Sequence, residues 1–139
     1  MMRIGLLILS CLMVNSALAY SNDEELSTEK GKKDGSYITF TTRKIDVGTI
    51  YSPWKTTVVY EFRNTGDEPL VVQNITTDCG CTVAEYTRKP IKPGKKGIVT
   101  VTYDGQYTEA GYFHKTITVV TNSWRKAVER LYLEGTRGE

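Results

Sequence analysis

The sequence predicts an all-β protein whose main part is a single immunoglobulin-like β-sandwich of about seven strands. From residue 36 onward, β-branched and aromatic residues form short runs, and Gly, Pro, Asn or Asp interrupts these runs about every ten residues. No window of the sequence has the apolar spacing of a long amphipathic helix. Both observations favour strands joined by short turns.

The first 19 residues have the three parts of a cleavable signal peptide. Arg3 supplies a short positive region, residues 4–14 are almost wholly apolar, and residues 17–19 (ALA) form a small-residue cleavage site. The apolar run is about a dozen residues, and roughly 20 are needed to cross a bilayer. We therefore expect residues 1–19 to be removed, and the mature chain to be periplasmic with no transmembrane segment.

Cys11 offers an alternative interpretation of this region. Residues 9–11 (LSC) resemble the end of a lipoprotein box, in which the cysteine is acylated after cleavage. The apolar region ahead of Cys11 would be very short, and the mature chain would begin with Leu12. Cleavage after Ala19 is therefore the favoured prediction.

Residues 20–35 predict a flexible polar leader, because they are rich in charge and Leu26 is their only aliphatic residue. Residues 36–139 then form the sandwich domain. The chain has 18 Lys and Arg against 16 Asp and Glu, and removal of the signal peptide takes away only Arg3. A charge so close to neutral disfavours a nucleic-acid partner and strong steering to anionic lipid.

Seven segments of the domain fit strands, and most alternate apolar with polar residues so that one face is apolar. The segments are 37–42, 55–63, 70–76, 82–87, 97–103, 113–121 and 128–134. The alternating apolar residues are Val58, Tyr60 and Phe62 in the second segment, Val99, Val101 and Tyr103 in the fifth, Phe113, Ile117 and Val119 in the sixth, and Leu131 and Leu133 in the seventh. Each strand therefore offers one apolar face to a shared core.

Residues 78–82 (DCGCT) join the third and fourth segments and carry the most distinctive chemistry of the chain. Oxidation after export would favour a disulfide between Cys79 and Cys81, and Gly80 relaxes the backbone between them. Such a ring closes only about three residues, so it constrains the unfolded chain weakly. Buried cysteines also behave as small apolar side chains, and a structural role is the favoured interpretation.

Two chemical roles for Cys79 and Cys81 stay open beside the structural one. A strained, labile disulfide would suit thiol–disulfide exchange, but an active thiol normally lies near a cation or a helix N-terminus, and the adjacent charge here is Asp78. Two thiolates also suit Cu(I) or zinc, but only His114 could join them as a ligand in the mature chain. No metal or cofactor is predicted.

The remaining candidates do not form a catalytic pattern. His114 lies on the polar side of its strand, which predicts a surface histidine, and no hydrolase, metalloprotease or phosphate-loop motif accompanies it. The spacing of Asp46, Asp104 and Glu109 does not predict that their carboxylates meet. No residue is therefore assigned a catalytic role.

Two tryptophans and one basic loop are candidates for binding. Trp54 precedes the second segment and Trp124 follows the sixth, so each is either a lid on the core or an anchor for a partner. The basic cluster reads as a solvated turn, with contact to an anionic envelope polymer as the alternative. Its members are Arg88, Lys89, Lys92, Lys95 and Lys96.

Several motifs together resemble a bacterial exported family, domain of unknown function fifteen-seventy-three, over about residues 40–136. They are residues 64–70 (NTGDEPL), 78–82 (DCGCT), 90–94 (PIKPG), Tyr103, 111–115 (GYFHK) and 133–135 (LEG). The resemblance implies a sandwich akin to PapD-type domains in the cell envelope, with no activity or catalytic residue assigned. Val47 departs from the family, which often has an aromatic residue before Gly-Thr-Ile.

These observations predict a non-catalytic periplasmic interaction module, an accessory subunit or adaptor of a cell-envelope (outer-membrane) complex. Binding would use an exposed edge strand or a strand-end patch near Trp54 or Trp124, because sandwich edges add strands readily. The alternative is thiol–disulfide exchange or Cu(I) transport at Cys79 and Cys81.

Overall fold

The computed structural model of the chain describes residues 35–139. All regular structure in this range is β, and no helix in it has the length and hydropathy to cross a bilayer. The predicted signal peptide, Cys11 and nearly all of the predicted leader lie outside the described residues. The strands are β1 (Ile38–Phe40), β2 (Lys44–Ile50), β3 (Lys55–Asn64), β4 (Val72–Thr77), β5 (Thr82–Tyr86), β6 (Lys96–Asp104), β7 (Gly111–Thr121) and β8 (Val128–Arg137).

The eight strands form two four-stranded sheets, which confirms the predicted all-β sandwich. Sheet 1 has the order β1-β3-β6-β5, and sheet 2 has the order β2-β8-β7-β4. The predicted count of about seven strands was wrong by one, because sequence reasoning missed β2.

The missed strand β2 follows β1 in the chain but belongs to the other sheet, where it forms the edge. β1 pairs antiparallel with β3, whereas β2 pairs parallel with β8 in sheet 2. Arg43 lies at the crossing and binds the carboxylate of Glu129 through two nitrogens, at 3.2 and 3.1 Å. Glu129 is only 2% exposed, and Lys126 also lies 2.9 Å from it. A buried carboxylate needs such partners. The interaction of Arg43 with Glu129 therefore holds the segment between β1 and β2 where the chain passes from sheet 1 to sheet 2.

The composition of β2 explains why its sequence does not read as a strand. Lys44 and Asp46 are exposed, and the register with β8 shifts between Asp46 and Thr49. Gly48 lies in this irregularity with φ of 66°, a conformation that glycine adopts easily. Charged residues and a bulge are common on edge strands, where they discourage pairing with other chains.

The core forms where the predicted apolar faces of the two sheets meet. Tyr60, Phe62 and Val101 of sheet 1 and Leu133 of sheet 2 are fully buried. Across the sandwich, the ring of Tyr103 stacks on the ring of Phe113, with their centres 4.1 Å apart. Burial of these large apolar side chains stabilises the fold by about 1.5–3 kcal/mol each.

The strands run lengthwise, so the loops collect at two ends. The start of β3 pairs with the end of β6, and the start of β7 pairs with the end of β8. We call this end the Trp54 end; it comprises residues 51–54, 78–81, 105–110 and 138–139. The opposite, Trp124 end comprises residues 35–37, 65–71, 87–95 and 122–127. The ten residues of β3 separate the two ends by roughly 33 Å.

Candidate interaction site at the Trp54 end

A tight turn from Tyr51 to Trp54 joins β2 to β3. Its Ser52–Pro53 peptide bond is cis, and the Trp54 amide donates a hydrogen bond to the Tyr51 carbonyl oxygen at 2.8 Å. Trp54 has φ of 53°, in the left-handed region that residues with a side chain seldom occupy. Such a residue costs about 1–3 kcal/mol, so the surrounding contacts must hold it in place.

Trp54 has three such contacts, one with the loop after β6 and two with residues 137–138. Its carbonyl oxygen accepts a hydrogen bond from Gly105 at 2.8 Å, and its indole Nε1 donates to the Gly138 carbonyl oxygen at 3.0 Å. The guanidinium of Arg137 lies over the ring, 4.2 Å from its centre. The indole is therefore a fixed, half-buried element of this surface.

Two exposed tyrosines lie at the same end of the domain as Trp54. Tyr51 is 68% exposed, and its ring rests on the backbone of Gly138. Tyr107 is 92% exposed and lies in a turn where Thr108 donates two hydrogen bonds to the Gly105 carbonyl oxygen, at 3.1 and 3.0 Å. We call Tyr51, Trp54 and Tyr107 the aromatic surface.

The Cys-Gly-Cys turn lies beside the aromatic surface. Cys79 and Cys81 are joined by a disulfide, with their Cα atoms 5.3 Å apart. The Cys81 carbonyl oxygen accepts a hydrogen bond from Asp104 at 2.8 Å, and Asp104 precedes the Gly105 that contacts Trp54. The disulfide therefore lies about two strand spacings from Trp54, roughly 10 Å.

The turn has little that would activate a thiol. No helix begins within residues 35–139, so no helix N-terminus faces the sulfurs. The Asp78 carboxylate beside them accepts a hydrogen bond from the Thr116 amide at 2.8 Å, which ties the turn to sheet 2. Gly80 is exposed, and a Cβ added there would meet no atom within 4 Å. Close packing is therefore not what requires glycine at this position.

The other predicted acids do not meet as a pair. Asp46 accepts a hydrogen bond from Gly48 at 2.8 Å, and Asp104 accepts one from Gln106 at 3.1 Å, so each carboxylate caps its own turn. Glu109 lies exposed in the loop before β7. Within residues 35–139, no group of three His, Cys, Asp or Glu side chains is placed to hold a metal ion.

His114 is exposed on the outer face of sheet 2, where it contacts a carboxylate that sequence reasoning did not single out. Its Nδ1 lies 2.9 Å from Glu134 Oε1, and Lys44 Nζ lies 2.8 Å from Glu134 Oε2. Glu134 is only 8% exposed, although alternation places it on the polar face of β8. The hydrogen bond from Lys44, helped by the one with His114, lowers the pKa of Glu134. Nothing in the one-dimensional pattern indicates that Lys44 lies above this acid, because β2 was not recognised.

Trp124 lies at the opposite end from Trp54, so the two tryptophans do not form one site. Its amide donates a hydrogen bond to the Ser36 carbonyl oxygen at 3.1 Å, and its side chain is 53% exposed. The guanidinium of Arg125 lies 4.8 Å from the centre of its ring.

The sequence profile of one family, described as Protein of unknown function (DUF1573), matches residues 38–137. The chain belongs to this family. The DUF1573 domain thus coincides with the sandwich from β1 to the end of β8. No curated protein sequence that was compared with the chain matches it.

One of the motifs behind the family resemblance has a clear physical purpose in this DUF1573 domain. The buried side chain of Asn64 donates to the carbonyl oxygens of Glu68 and Ile91, at 2.7 and 2.9 Å, and accepts from Gly66 at 2.9 Å. A Cβ on Gly66 would collide with the Gly35 carbonyl oxygen. Asn64 therefore fastens two loops of the Trp124 end together.

Solved structures with PapD-like and immunoglobulin-like domains resemble this DUF1573 domain. A protein of unknown function from Porphyromonas gingivalis W83 has a TM-score of 0.68 at 20% identity, covering 76% of this chain and 48% of that one. The chain thus spans about half the length of that protein. The ASH/PapD-like domain 7 of human CEP192 gives 0.61 at 10% identity, covering 76% and 87%. The secreted serine protease VesC of Vibrio cholerae gives 0.54 at 16% identity, covering 74% and 23%. At these identities the likeness shows the fold alone.

Proposed function

We propose that this chain is a non-catalytic interaction module of the periplasm that binds a protein partner of the cell envelope through its Trp54 end. It would act as an accessory subunit or adaptor of an outer-membrane complex. The observation that carries the proposal is the aromatic surface: three aromatic side chains at one end of the sandwich, two of them more than two-thirds exposed.

The aromatic surface has the chemistry of a protein-binding hot spot. Trp and Tyr dominate the energetics of protein interfaces, because each buries a large apolar area and retains a polar group that hydrogen-bonds at the rim. Truncation of a hot-spot residue to alanine typically costs about 2 kcal/mol or more of binding free energy.

The aromatic surface is also preorganised. Trp54 is held by Gly105, Gly138 and Arg137, and Tyr107 lies in a turn fixed by hydrogen bonds to Gly105. Ordering a side chain on binding costs about 0.5–1.5 kcal/mol, and a backbone that is already fixed avoids part of that cost. The fixed conformation of the aromatic surface therefore favours binding of a partner there.

The neighbouring chemistry supports binding over catalysis. The disulfide turn has Asp78 as its adjacent charge and no helix N-terminus, and the Asp46 and Asp104 carboxylates are engaged in separate turns. A general acid–base pair needs groups within hydrogen-bond reach of one substrate atom. The export that the proposal requires rests on the predicted signal peptide.

A photocrosslinking amino acid at position 107, in the chain expressed at native level in its own cells, tests the proposal. We expect an adduct with an envelope protein that disappears when Trp54→Ala is added. The matched control carries the same crosslinker at position 128, where Val128 is exposed on β8 towards the Trp124 end. No adduct at position 107, or equal adducts at positions 107 and 128, would contradict the proposal.

A further inference from the structure

The near-neutral charge of the chain conceals a separation of charge along the domain. At the Trp124 end, six exposed cations accompany two exposed acids, Asp67 and Glu68. The cations are Arg88, Lys89, Lys92, Lys95, Arg125 and Lys126, of which Lys126 pairs with the buried Glu129. At the Trp54 end the sign is reversed, since residues 51–54, 78–81, 105–110 and 138–139 contain Asp78, Glu109 and Glu139 and no Lys or Arg. The domain therefore has a basic end and an acidic end.

The cations between β5 and β6 project from a loop that the fold holds in place. Ile91 and Leu70 exchange two backbone hydrogen bonds, at 2.7 and 2.9 Å. Gly94 donates to the Asn64 carbonyl oxygen at 2.8 Å, and the side chain of Arg63 donates to the Gly94 carbonyl oxygen at 2.7 Å. Lys92 and Lys95 therefore extend into solvent from a fixed backbone.

The exposed Trp124 belongs to the same end. Asn122, two residues earlier, donates to the Pro69 carbonyl oxygen at 3.1 Å and accepts from the Val71 amide at 2.8 Å. Leu70, in the loop 65–71, pairs in turn with Ile91 of the basic loop. The loop that carries Trp124 and the basic loop are therefore linked across one end of the sandwich. Trp124 is half exposed, and Arg125 stacks beside it.

We infer that the Trp124 end docks on the headgroup layer of an anionic lipid membrane. Tryptophan prefers the interface between headgroups and acyl chains, and Lys and Arg extend their charged groups towards lipid phosphates. The cations come from two loops spread over the end of the sandwich, which suits a planar array of charge better than a single phosphate. The inference goes beyond the proposed function and does not depend on it.

This inference revises a prediction from the sequence. The net charge near neutral argued against steering to anionic lipid. That argument did not take account of the separation of charge, which appears only when the fold brings distant loops together. The separation also orients the domain. With the basic end on the membrane, the aromatic surface would lie roughly 33 Å away from it and face a partner.

Cosedimentation of the chain with vesicles tests the inference. The probes are vesicles that contain phosphatidylglycerol and vesicles of phosphatidylcholine alone. We expect the chain to bind only the vesicles that contain phosphatidylglycerol, and its affinity for them to decrease as salt is added. Lys92→Glu with Lys95→Glu should lower this affinity about tenfold or more. The matched control is a single pair, Lys92→Glu against Lys55→Glu: both change the net charge equally, and Lys55→Glu, at the exposed start of β3 beside Trp54, should bind as the unchanged chain does.

Fluorescence locates the contact. In Trp54→Phe, Trp124 is the only tryptophan, and its emission should shift to shorter wavelength with phosphatidylglycerol vesicles. Equal binding to both kinds of vesicle, equal loss in both charge variants, no shift of Trp124, or binding to soluble polyphosphate without binding to vesicles would overturn the inference. The crosslink at position 107 reports the proposed function separately, since it should persist in Lys92→Glu with Lys95→Glu.

Discussion

Arg137, the last residue of β8, lies over the indole ring of Trp54, with the guanidinium carbon 4.2 Å from the ring centre. The same side chain donates from Nε to the Gly105 carbonyl oxygen at 2.8 Å. Gly105 in turn donates its amide to the Trp54 carbonyl oxygen. Two residues far apart in the chain are thus joined through the loop that carries Tyr107, so the conformation of the aromatic surface depends on Arg137.

Replacing Arg137 should therefore loosen the aromatic surface. We expect Arg137→Ala to lower the free energy of unfolding by about 1–2 kcal/mol, from the loss of one cation–π contact and two hydrogen bonds to backbone carbonyl oxygens. Arg130→Ala is the control, because Arg130 is exposed on the same strand. Urea unfolding measures both variants. Equal stability of the two variants would mean that Arg137 does not hold this end together.

The disulfide should contribute little to stability. Because the ring between Cys79 and Cys81 is so short, loop entropy limits its contribution to about 1–2 kcal/mol. We expect the chain with Cys79→Ser and Cys81→Ser to fold and to keep its crosslink at position 107. Circular dichroism and urea unfolding check the first expectation. Failure to fold would make the disulfide a structural requirement, and an intact fold without the crosslink would place partner binding or chemistry at the turn.

Replacement by alanine should destabilise the fold much more at Gly97 than at Gly80. A Cβ on Gly97 would collide with the ring of Phe62 in the core, whereas one on Gly80 would point into open space. Overpacking of a core costs about 1–3 kcal/mol, so Gly97→Ala should be destabilised by that amount and Gly80→Ala by under about 0.5 kcal/mol. Thermal unfolding of the pair measures the difference. A large loss in Gly80→Ala would show that the Cys-Gly-Cys turn has a steric requirement that the structure does not explain.

Glu134 should make stability depend on pH in acid. Its pKa in the folded protein lies below the ordinary value of 4.5, chiefly because Lys44 donates a hydrogen bond to it. The carboxylate therefore stabilises the fold above about pH 4.5, and this contribution is lost as the pH falls through the lowered pKa. We expect Glu134→Gln to be less stable near neutral pH and to lose less stability on acidification. Glu85→Gln, at an exposed site on β5, is the control, and identical acid limbs for the two variants would refute the assignment.

The partner of Glu134 should titrate at the other end of the pH scale. The same hydrogen bond raises the pKa of Lys44 above its ordinary value of 10.5. This contribution is present below that value and is lost as the pH rises through the raised pKa. Stability measured in alkali should therefore fall less steeply in Lys44→Met than in the unchanged chain. A steeper fall in Lys44→Met would contradict this pairing.

The sandwich could be predicted because the alternation of apolar and polar residues is visible within each strand. Alternation along β3 and β6 placed Tyr60, Val99 and Val101 on one face, and those residues are fully buried. The strand β2 could not be recognised in the same way. An edge strand with exposed Lys44 and Asp46 and a left-handed Gly48 reads as a loop, since only pairing with β8 makes it regular.

The candidate site was predicted only in part. The positions of Trp54 and Trp124 at strand ends were apparent from the turns around them, but their separation to opposite ends depends on the direction of each strand. Tyr107 was missed, because a tyrosine in a polar loop has no periodic signal. The ion pair of Arg43 with the buried Glu129 was missed as well, since it requires β2 and β8 to be neighbours.

The most direct measurement is the quantity of envelope protein that copurifies with the chain, determined by mass spectrometry at native expression level. The unchanged chain is compared with Trp54→Ala combined with Tyr107→Ala, and with the control Tyr112→Ala, whose tyrosine is also exposed. The proposed function predicts a partner retained by the control and reduced at least about tenfold in the double variant. Equal recovery by all three proteins, or no partner with the unchanged chain, would contradict it.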